Sequence, residues 1–367
     1  MTSDSIDRGA RMFELMRAGL PELKIGLDEW TRRMMSWHFS EQTGCAFWLR
    51  QRDRLGFDPV SDITCFADLR EFGLFSQESL RNVPARDLRP RGFATLPMRV
   101  FETGGTSGAP CRIVNVTRLA SDVVMYAAML RARGLAGGDI IAMTPSGPHA
   151  YGHFVEGLAD SWQGAVCAID FDPRWVKHLL RAGQDPSGYV AHLCEQARTL
   201  LETREATLLF TTSQLLLTLV TVLDEPLAGY RIRGVCTGGT SCSAEEIRVL
   251  TEDYLGGVQW IDTYGNTLVG HALQADPLTP GASRSYHLAP PFGVLRVASP
   301  GDWTRDAAPG ERGQVVATTL LEDLFIPNLA ERDSAVTAPP HPWFPWPGVR
   351  DIRPLHPAGG SYPEGVY

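Results

Sequence analysis

A chain of 367 residues with 44% hydrophobic side chains is long enough to bury a large core and is expected to form two or three lobes. Its formal charge of −8 argues against a general nucleic-acid binder, and no basic stripe interleaved with aromatics suggests a single-strand groove. No apolar run has the length of a membrane span, and Met1 to Arg8 is polar and acidic rather than signal-like, so the cytoplasm is the expected compartment. The seven cysteines are odd in number and form no C-x-x-C pair, which reads as reduced, mostly buried thiols. Of 34 basic residues only Lys24 and Lys177 are lysines, a bias of composition that leaves no lysine after position 177.

Residues 1–95 read as mainly helical, with apolar positions recurring at three and four (Met12, Leu15, Met16, Leu20; then Trp30, Met34, Met35, Trp37). Asp58-Pro59 and Val83-Pro84 punctuate this stretch. A strand at Met98–Phe101 leads into Thr103-Gly104-Gly105-Thr106-Ser107-Gly108-Ala109-Pro110, and Ile113–Val116 follows it. Strand–loop–strand is expected to present this loop at a sheet edge, where ligands gather in open α/β folds. Three glycines free the backbone for close approach, and converging N–H groups with three hydroxyls suit a polyphosphate. A solvent-exposed turn is the plainer alternative, and no Gly-Lys-Ser/Thr closes the loop as in a Walker A motif.

Beyond a helix at Ala120–Leu130, strands at Asp139–Met143, Ala165–Ile169, Ala206–Phe210 and Ile232–Cys236 alternate with helices at Trp175–Leu180, Tyr189–Thr203 and Gln214–Leu223. Such alternation predicts an α/β fold of helix-covered sheets. After about Tyr286 short strands with Pro and Gly turns (Phe292–Val297, Gly313–Leu320) read as a small β-rich, barrel-like lobe. From Thr337 the proline- and Trp-rich chain reads as an extended tail, packed or partly disordered. The expected divisions are 1–95 (helical lead-in), 96–230 (α/β with the phosphate loop), 231–285 (second α/β part), 286–336 (β-rich lobe) and 337–367 (tail).

Four further segments complete a pattern. Pro148-His149-Ala150-Tyr151-Gly152-His153-Phe154 reads as a loop entering a helix. Val235-Cys236-Thr237-Gly238-Gly239-Thr240 is a strand ending in a Gly-Gly turn, after which Ala244-Glu245-Glu246 opens a helix. Trp260-Ile261-Asp262-Thr263-Tyr264-Gly265-Asn266-Thr267 places an aromatic and hydroxyls around a glycine. Gly310–Leu320 precedes Pro327 and Arg332-Asp333.

In this order the segments resemble the core motifs of the adenylate-forming superfamily, the acyl- and aryl-CoA ligases, and most of all the phenylacetate–CoA ligases. The stretch Gly56–Pro59, Phe66–Leu69 and Ser76–Leu80 is similar to that family's N-terminal part, and the likeness covers roughly residues 50–335. The resemblance implies the large N-terminal domain of that fold and a site for ATP. Thr103, Gly104, Gly105, Thr106, Ser107 and Gly108 would hold the β- and γ-phosphates. Gly238, Gly239 and Thr240 would line the adenine pocket, with Tyr264 stacked on the purine and Asp262 and Gly265 beside it. Thr267 would meet the α-phosphate, Asp333 the ribose hydroxyls, and Tyr151, Gly152 and Phe154 a carboxylate substrate. Attack of that carboxylate on the α-phosphate would give an acyl-adenylate, a reaction of positioning and charge neutralisation that needs no protein nucleophile.

Each residue also has a plainer reading. Tyr264 could be a core tyrosine and Asp333 a loop or cap aspartate. His149 and His153 would have metal-like spacing on a helix, which Pro148 and Gly152 oppose, so no metal site is assigned. Cys236 and Cys242 read as core thiols, and Glu245-Glu246 as a first helical turn suited to the dipole.

Three departures from the family pattern stand out. The resemblance implies Mg²⁺ beside ATP, but the glutamate that helps hold it usually follows the threonine matching Thr267, and Leu268 stands there, which leaves phosphates and water alone, another carboxylate, or weak catalysis. The phosphate loop lacks a lysine, so Arg112 is the expected source of positive charge. Gly348-Val349-Arg350-Asp351 reads as a hinge remnant, and the superfamily's mobile C-terminal domain with its α-phosphate lysine is expected to be absent. Short relatives of this kind belong to antibiotic clusters, the phenazine-tailoring type being most similar, which implies an aromatic or heteroaromatic acid and a downstream acyl-acceptor enzyme. Neither nucleic acid nor membrane is an expected partner; a homodimer is one alternative, and the sequence leaves the oligomeric state open. CoA ligation by this chain alone is disfavoured. Two other readings stay open: a degenerate nucleotide- or metabolite-binding protein, and a half-enzyme completed by a partner docking on the tail (Trp343, Trp346).

Overall fold

Apolar residues at helical spacing give α1 (Ser3–Gly19), α2 (Leu27–His38) and α3 (Ala46–Arg52), and α2 buries Trp30, Thr31, Met34, Met35 and His38 along one face. The computed structural model describes residues 3–103, 110–145, 147–240 and 242–355, and two compact units form within them. The first unit takes residues 3–122, 266–272 and 285–355, and the second takes 123–265 and 273–284. Gly104, Gly105, Thr106, Ser107, Gly108 and Ala109, expected to cradle phosphate, lie outside the described residues, as does the end of the tail.

The strands in chain order begin with β1 (Arg99–Glu102) and β2 (Arg112–Asn115), which precede helix α4 (Arg118–Ala132). Next come β3 (Asp139–Ala142), β4 (Val166–Ala168), β5 (Ala206–Thr211), β6 (Gly234–Gly238), β7 (Gln259–Asn266) and β8 (Gly270–Gln274). The last six are β9 (Ser285–His287), β10 (Gly293–Ser299), β11 (Asp302–Asp306), β12 (Arg312–Leu321), β13 (Leu324–Ala338) and β14 (Gly348–Pro354).

In the first unit β1 and β2 pair with each other alone, Glu102 opposite Arg112, as a two-stranded antiparallel sheet. Among the described residues, the two strands that flank the glycine loop in sequence hydrogen-bond to each other and join no larger sheet: two neighbouring strands on a short connection satisfy their hydrogen bonds locally. The β-rich part is an antiparallel run in the order β11-β10-β12-β13-β14-β9. The helical lead-in is fastened to its longest hairpin. Trp30 Nε1 donates to Leu320 O at 2.8 Å, Trp37 Nε1 to Glu322 O at 2.8 Å and Trp48 Nε1 to Phe325 O at 3.2 Å. His38 Nε2 donates to Leu321 O at 2.8 Å.

Of the residues expected to form an extended tail, the described ones, 337–355, are largely in strand or packed on the unit. β13 runs on to Ala338, Trp343 and Phe344 are buried, and β14 pairs with both β13 and β9. Trp343 is accommodated by a glycine of α1: a Cβ at Gly9 would stand 2.8 Å from its ring. Trp346 packs on Phe13 with ring centroids 5.5 Å apart. The indoles that were to offer a docking surface thus pack within the unit, as large apolar side chains do when a partner face exists. Gly348–Asp351, read as a hinge remnant, is strand in β14.

In the second unit β4-β3-β5-β6-β7 form a parallel sheet. Strands β5 and β6 are buried almost throughout, which is why they appear as continuous apolar runs. Helices α5 (Ala150–Asp160), α6 (Pro173–Arg181), α7 (Ser187–Glu202), α8 (Ser213–Val220) and α9 (Ala244–Val249) connect the strands. One core packs Ile141, Leu209, Val235 and Trp260 with Leu193 and Leu216.

Candidate functional site

At the carboxyl ends of three adjacent parallel strands the apolar pattern stops and a polar row begins. The register sets Thr211 of β5 opposite Thr237 of β6, and Thr237 opposite Asp262 of β7. Thr237 Oγ1 donates to Asp262 Oδ1 at 2.8 Å and accepts from Trp260 Nε1 at 2.9 Å. Asp262 N–H donates to Gln274 Oε1 at 2.7 Å, and Arg284 Nη1 stands 3.9 Å from Asp262 Oδ2. Asp262 is therefore buried in a paired network. Thr240 Oγ1 accepts the Ser213 N–H at 3.0 Å, tying the Gly-Gly turn to the start of α8. Buried Thr211 Oγ1 and Ser213 Oγ have no hydrogen-bond partner among the described residues. Neither was singled out in the sequence, where Thr211-Thr212-Ser213 has no glycine to mark it.

Gly239 adopts φ +84°, and a Cβ there would meet nothing within 4 Å, so the turn is both left-handed and open. The space over Gly238 is bounded by the Tyr151 hydroxyl, 3.6 Å from where a Cβ would stand, and by Thr263. Tyr151 and Gly152 fall in the first turn of α5, because helix starts at Ala150 despite Pro148 and Gly152; proline before the first turn loses no helical hydrogen bond. His149 is the N-cap, and His153 meets Glu156 at 2.9 Å and Gly147 O at 3.2 Å. Phe154 is fully buried between Tyr126, with centroids 5.2 Å apart, and Tyr151, at 6.4 Å, so it supports Tyr151 from the core and is not placed to touch substrate. Tyr126 Oη lies 3.3 Å from Thr263 Oγ1. Burial raises both tyrosine hydroxyls well above their ordinary range, so they remain protonated hydrogen-bonding groups. Tyr264 is half-buried on β7, and Gly265 after it has φ +145°.

The turn that carries Thr267 belongs to the first unit. Arg118, buried at the start of α4, donates from Nη1 to Thr267 O in a short contact and from Nη2 to Asn266 O at 3.4 Å. Asp122 pairs with Arg118 at 3.8 Å and with His271 at 3.1 Å. Asp323 Oδ2 accepts the N–H groups of Val116, Thr117 and Arg118, closing the start of α4. Leu268 is only 2% exposed, and its carbonyl accepts from Thr319 Oγ1 at 2.9 Å. The position that departs from the family pattern is a core position here. Arg118 carried no motif and was not legible as a clamp.

Thr103 and Cys111 close the base of the glycine loop through Thr103 N–H to Cys111 O at 2.9 Å and Cys111 N–H to Thr103 Oγ1 at 3.0 Å. Arg112 Nε donates to Glu102 Oε1 at 3.1 Å, so its charge is already partnered across the hairpin although its side chain is 62% exposed. Asp333 lies on β13 opposite Pro354, in strand rather than in the loop or cap of the plainer reading.

No protein-family model and no curated protein sequence matches the chain. Solved structures do. A 2-hydroxyisobutyryl-CoA ligase in complex with 2-HIB-AMP and CoA superposes with a TM-score of 0.65 at 13% identity, over 92% of this chain and 69% of that one. The same ligase in an open conformation gives 0.62 at 12% identity, over 88% and 67%. In its postadenylation state with R3-HIB-AMP it gives 0.63 at 13% identity, over 88% and 65%. This is the adenylate-forming fold.

Within the adenylate-forming fold, the strand-end row of the second unit stands near an open left-handed glycine and two buried hydroxyls that have no hydrogen-bond partner among the described residues. Among the described residues no group of three or more His, Cys, Asp or Glu side chains could hold a metal ion, and Leu268 supplies no carboxylate beside Thr267. Among the described residues no helix is long and apolar enough to cross a membrane.

Proposed function

We propose that this chain binds ATP together with an aromatic or heteroaromatic carboxylic acid and joins them as an acyl-adenylate. The observation that carries this reading is the aligned Thr211–Thr237–Asp262 row below an open Gly-Gly turn, on a chain whose adenylate-forming fold extends over 92% of its length. A carboxylate oxygen of the acid attacks the α-phosphorus, the bond to the bridging oxygen of the β-phosphate breaks, and pyrophosphate leaves. The backbone of Gly238 and Gly239 and the Tyr264 ring serve the adenine, Asp333 the ribose and Thr267 the α-phosphate; the Tyr151 ring, backed by buried Phe154 and Tyr126, favours a flat ring in the acid. No step is assigned to a metal ion. Chemistry of the phenazine-tailoring type, with transfer of the acyl group to a separate acceptor enzyme, is the biosynthetic setting this reading favours.

The test is ATP–pyrophosphate exchange with purified protein and a panel of aryl acids, including phenazine and aminobenzoate carboxylates. Acid-dependent exchange lowered at least tenfold by Thr106→Ala and by Asp333→Ala is expected. The buried Leu268 favours one second reading, a binding protein without turnover, which requires calorimetric binding of ATP or acid with no exchange.

A further inference from the structure

Glu331 stands on β13 two residues before Asp333, in a bulge: Ala330 lies opposite Val316 and Ser334 opposite Gln314, so three residues of β13 face one of β12. Its Oε1 accepts from Asn266 Nδ2 at 2.8 Å. Asn266 Oδ1 in turn accepts the N–H groups of Leu268 at 2.9 Å and Val269 at 3.1 Å. One amide side chain therefore links Glu331 to the turn that carries Thr267. From the neighbouring strand β12, Gln314 Nε2 donates to the Glu331 carbonyl at 2.9 Å and fixes the backbone beneath it. The charged groups that act on the carboxyl are Asp333, which disfavours its ionisation, and Arg332, which favours it; Gln314 and Asn266 are uncharged. Withdrawal from water, opposed by the Asn266 hydrogen bond and reinforced by Asp333, brings Glu331 up to about 7.

Nothing in the chemistry above uses this group. The geometry points to Glu331 as a positioning residue for the Thr267 turn, one whose charge state regulates how firmly that turn holds an anionic phosphate. This rests on the nucleotide reading of the site. Uncharged, Glu331 accepts from Asn266 and adds no field. Ionised, it sets a second negative charge beside Asp333 and repels phosphate; one unit charge several ångströms away across a partly aqueous gap is worth about fivefold in affinity.

The experiment measures ATP and adenosine affinities of the full chain by calorimetry across pH 6 to 8, for the native protein and for Glu331→Gln. Glutamine keeps an acceptor for Asn266 and cannot titrate, and matching thermal melts establish that both proteins are folded. Because the γ-phosphate of ATP titrates in the same window, the readout is the difference between the two proteins. The native protein is expected to lose about fivefold more ATP affinity than the variant between pH 6 and 8, with adenosine affinity equal in both. Identical pH dependence in the two proteins overturns the proposal. Failure of both to bind ATP at every pH overturns the nucleotide reading and the phosphate clause with it. The positioning clause is read separately from the Asn266 side-chain amide resonance: a titration near pH 7 that disappears in Glu331→Gln upholds it, and a flat resonance in the native protein ends it.

Discussion

His38 is the sharpest single-residue case. It is fully buried, donates from Nε2 to Leu321 O, and burial lowers it from 6.5 to about 4. The unfolded chain takes up the proton more readily than the folded one, so stability present above pH 6.5 is lost as the pH falls toward 4. The difference amounts to roughly 3 kcal/mol for this group. Urea unfolding at a series of pH values should show that slope in the native protein, and His38→Phe should flatten this part of it. Leu268 makes the opposite point about motif reading. Introducing the family's glutamate as Leu268→Glu places a carboxylate in the core and is expected to destabilise by on the order of 3 kcal/mol, read as a lower melting temperature. The thiols are legible from both sides: Cys236 and Cys242 were expected in the core, and burial pushes each up to about 12. Iodoacetamide at pH 8 should leave both unmodified in the folded protein and label both in urea.

At the scale of elements, local chemistry was readable where it is self-contained. Ser243-Ala244-Glu245-Glu246 announces a helix start, and the structure closes it as a capping box, Ser243 N–H to Glu246 Oε2 at 2.7 Å and Glu246 N–H to Ser243 Oγ at 3.2 Å. Ser243→Ala should cost about 1 kcal/mol, measured by thermal or urea unfolding. The buried strands β3, β5 and β6 were visible as apolar runs for the same reason. What failed was anything decided by distant partners. The stretch after Thr337 has the prolines of a tail, but Trp343 finds the groove left by Gly9, more than three hundred residues away in the chain, and β14 finds two neighbours. Trp343→Ala should therefore cost about 3 to 5 kcal/mol by the same unfolding measurements, a loss no solvent-exposed tail residue would produce. Arg118 was invisible likewise, since its partners Asn266 and Thr267 are set by the fold alone.

For the whole molecule, chain order proved a better guide than local appearance. The five separated motifs pointed to an adenylate-forming fold that neither a family model nor a curated sequence reports, and the solved ligase structures share it at 13% identity and below. Strands tolerate almost any apolar side chain, so sequence identity decays while the order of strands, turns and glycines persists. The strand-end row was only half legible: Thr237 and Asp262 stood within motifs, whereas Thr211 is recognised only once the register sets it beside them.

The attachment of the N-terminal helices to the β12–β13 hairpin also gives the protein an optical property. Three indole N–H groups, from Trp30, Trp37 and Trp48, end on carbonyls of that one hairpin. An indole that exchanges a fixed carbonyl dipole for mobile water emits at longer wavelength. Loosening of the joint therefore shifts the emission of these three to the red, on top of the emission of the six other tryptophans, and replacing Trp30, Trp37 and Trp48 by phenylalanine isolates their share.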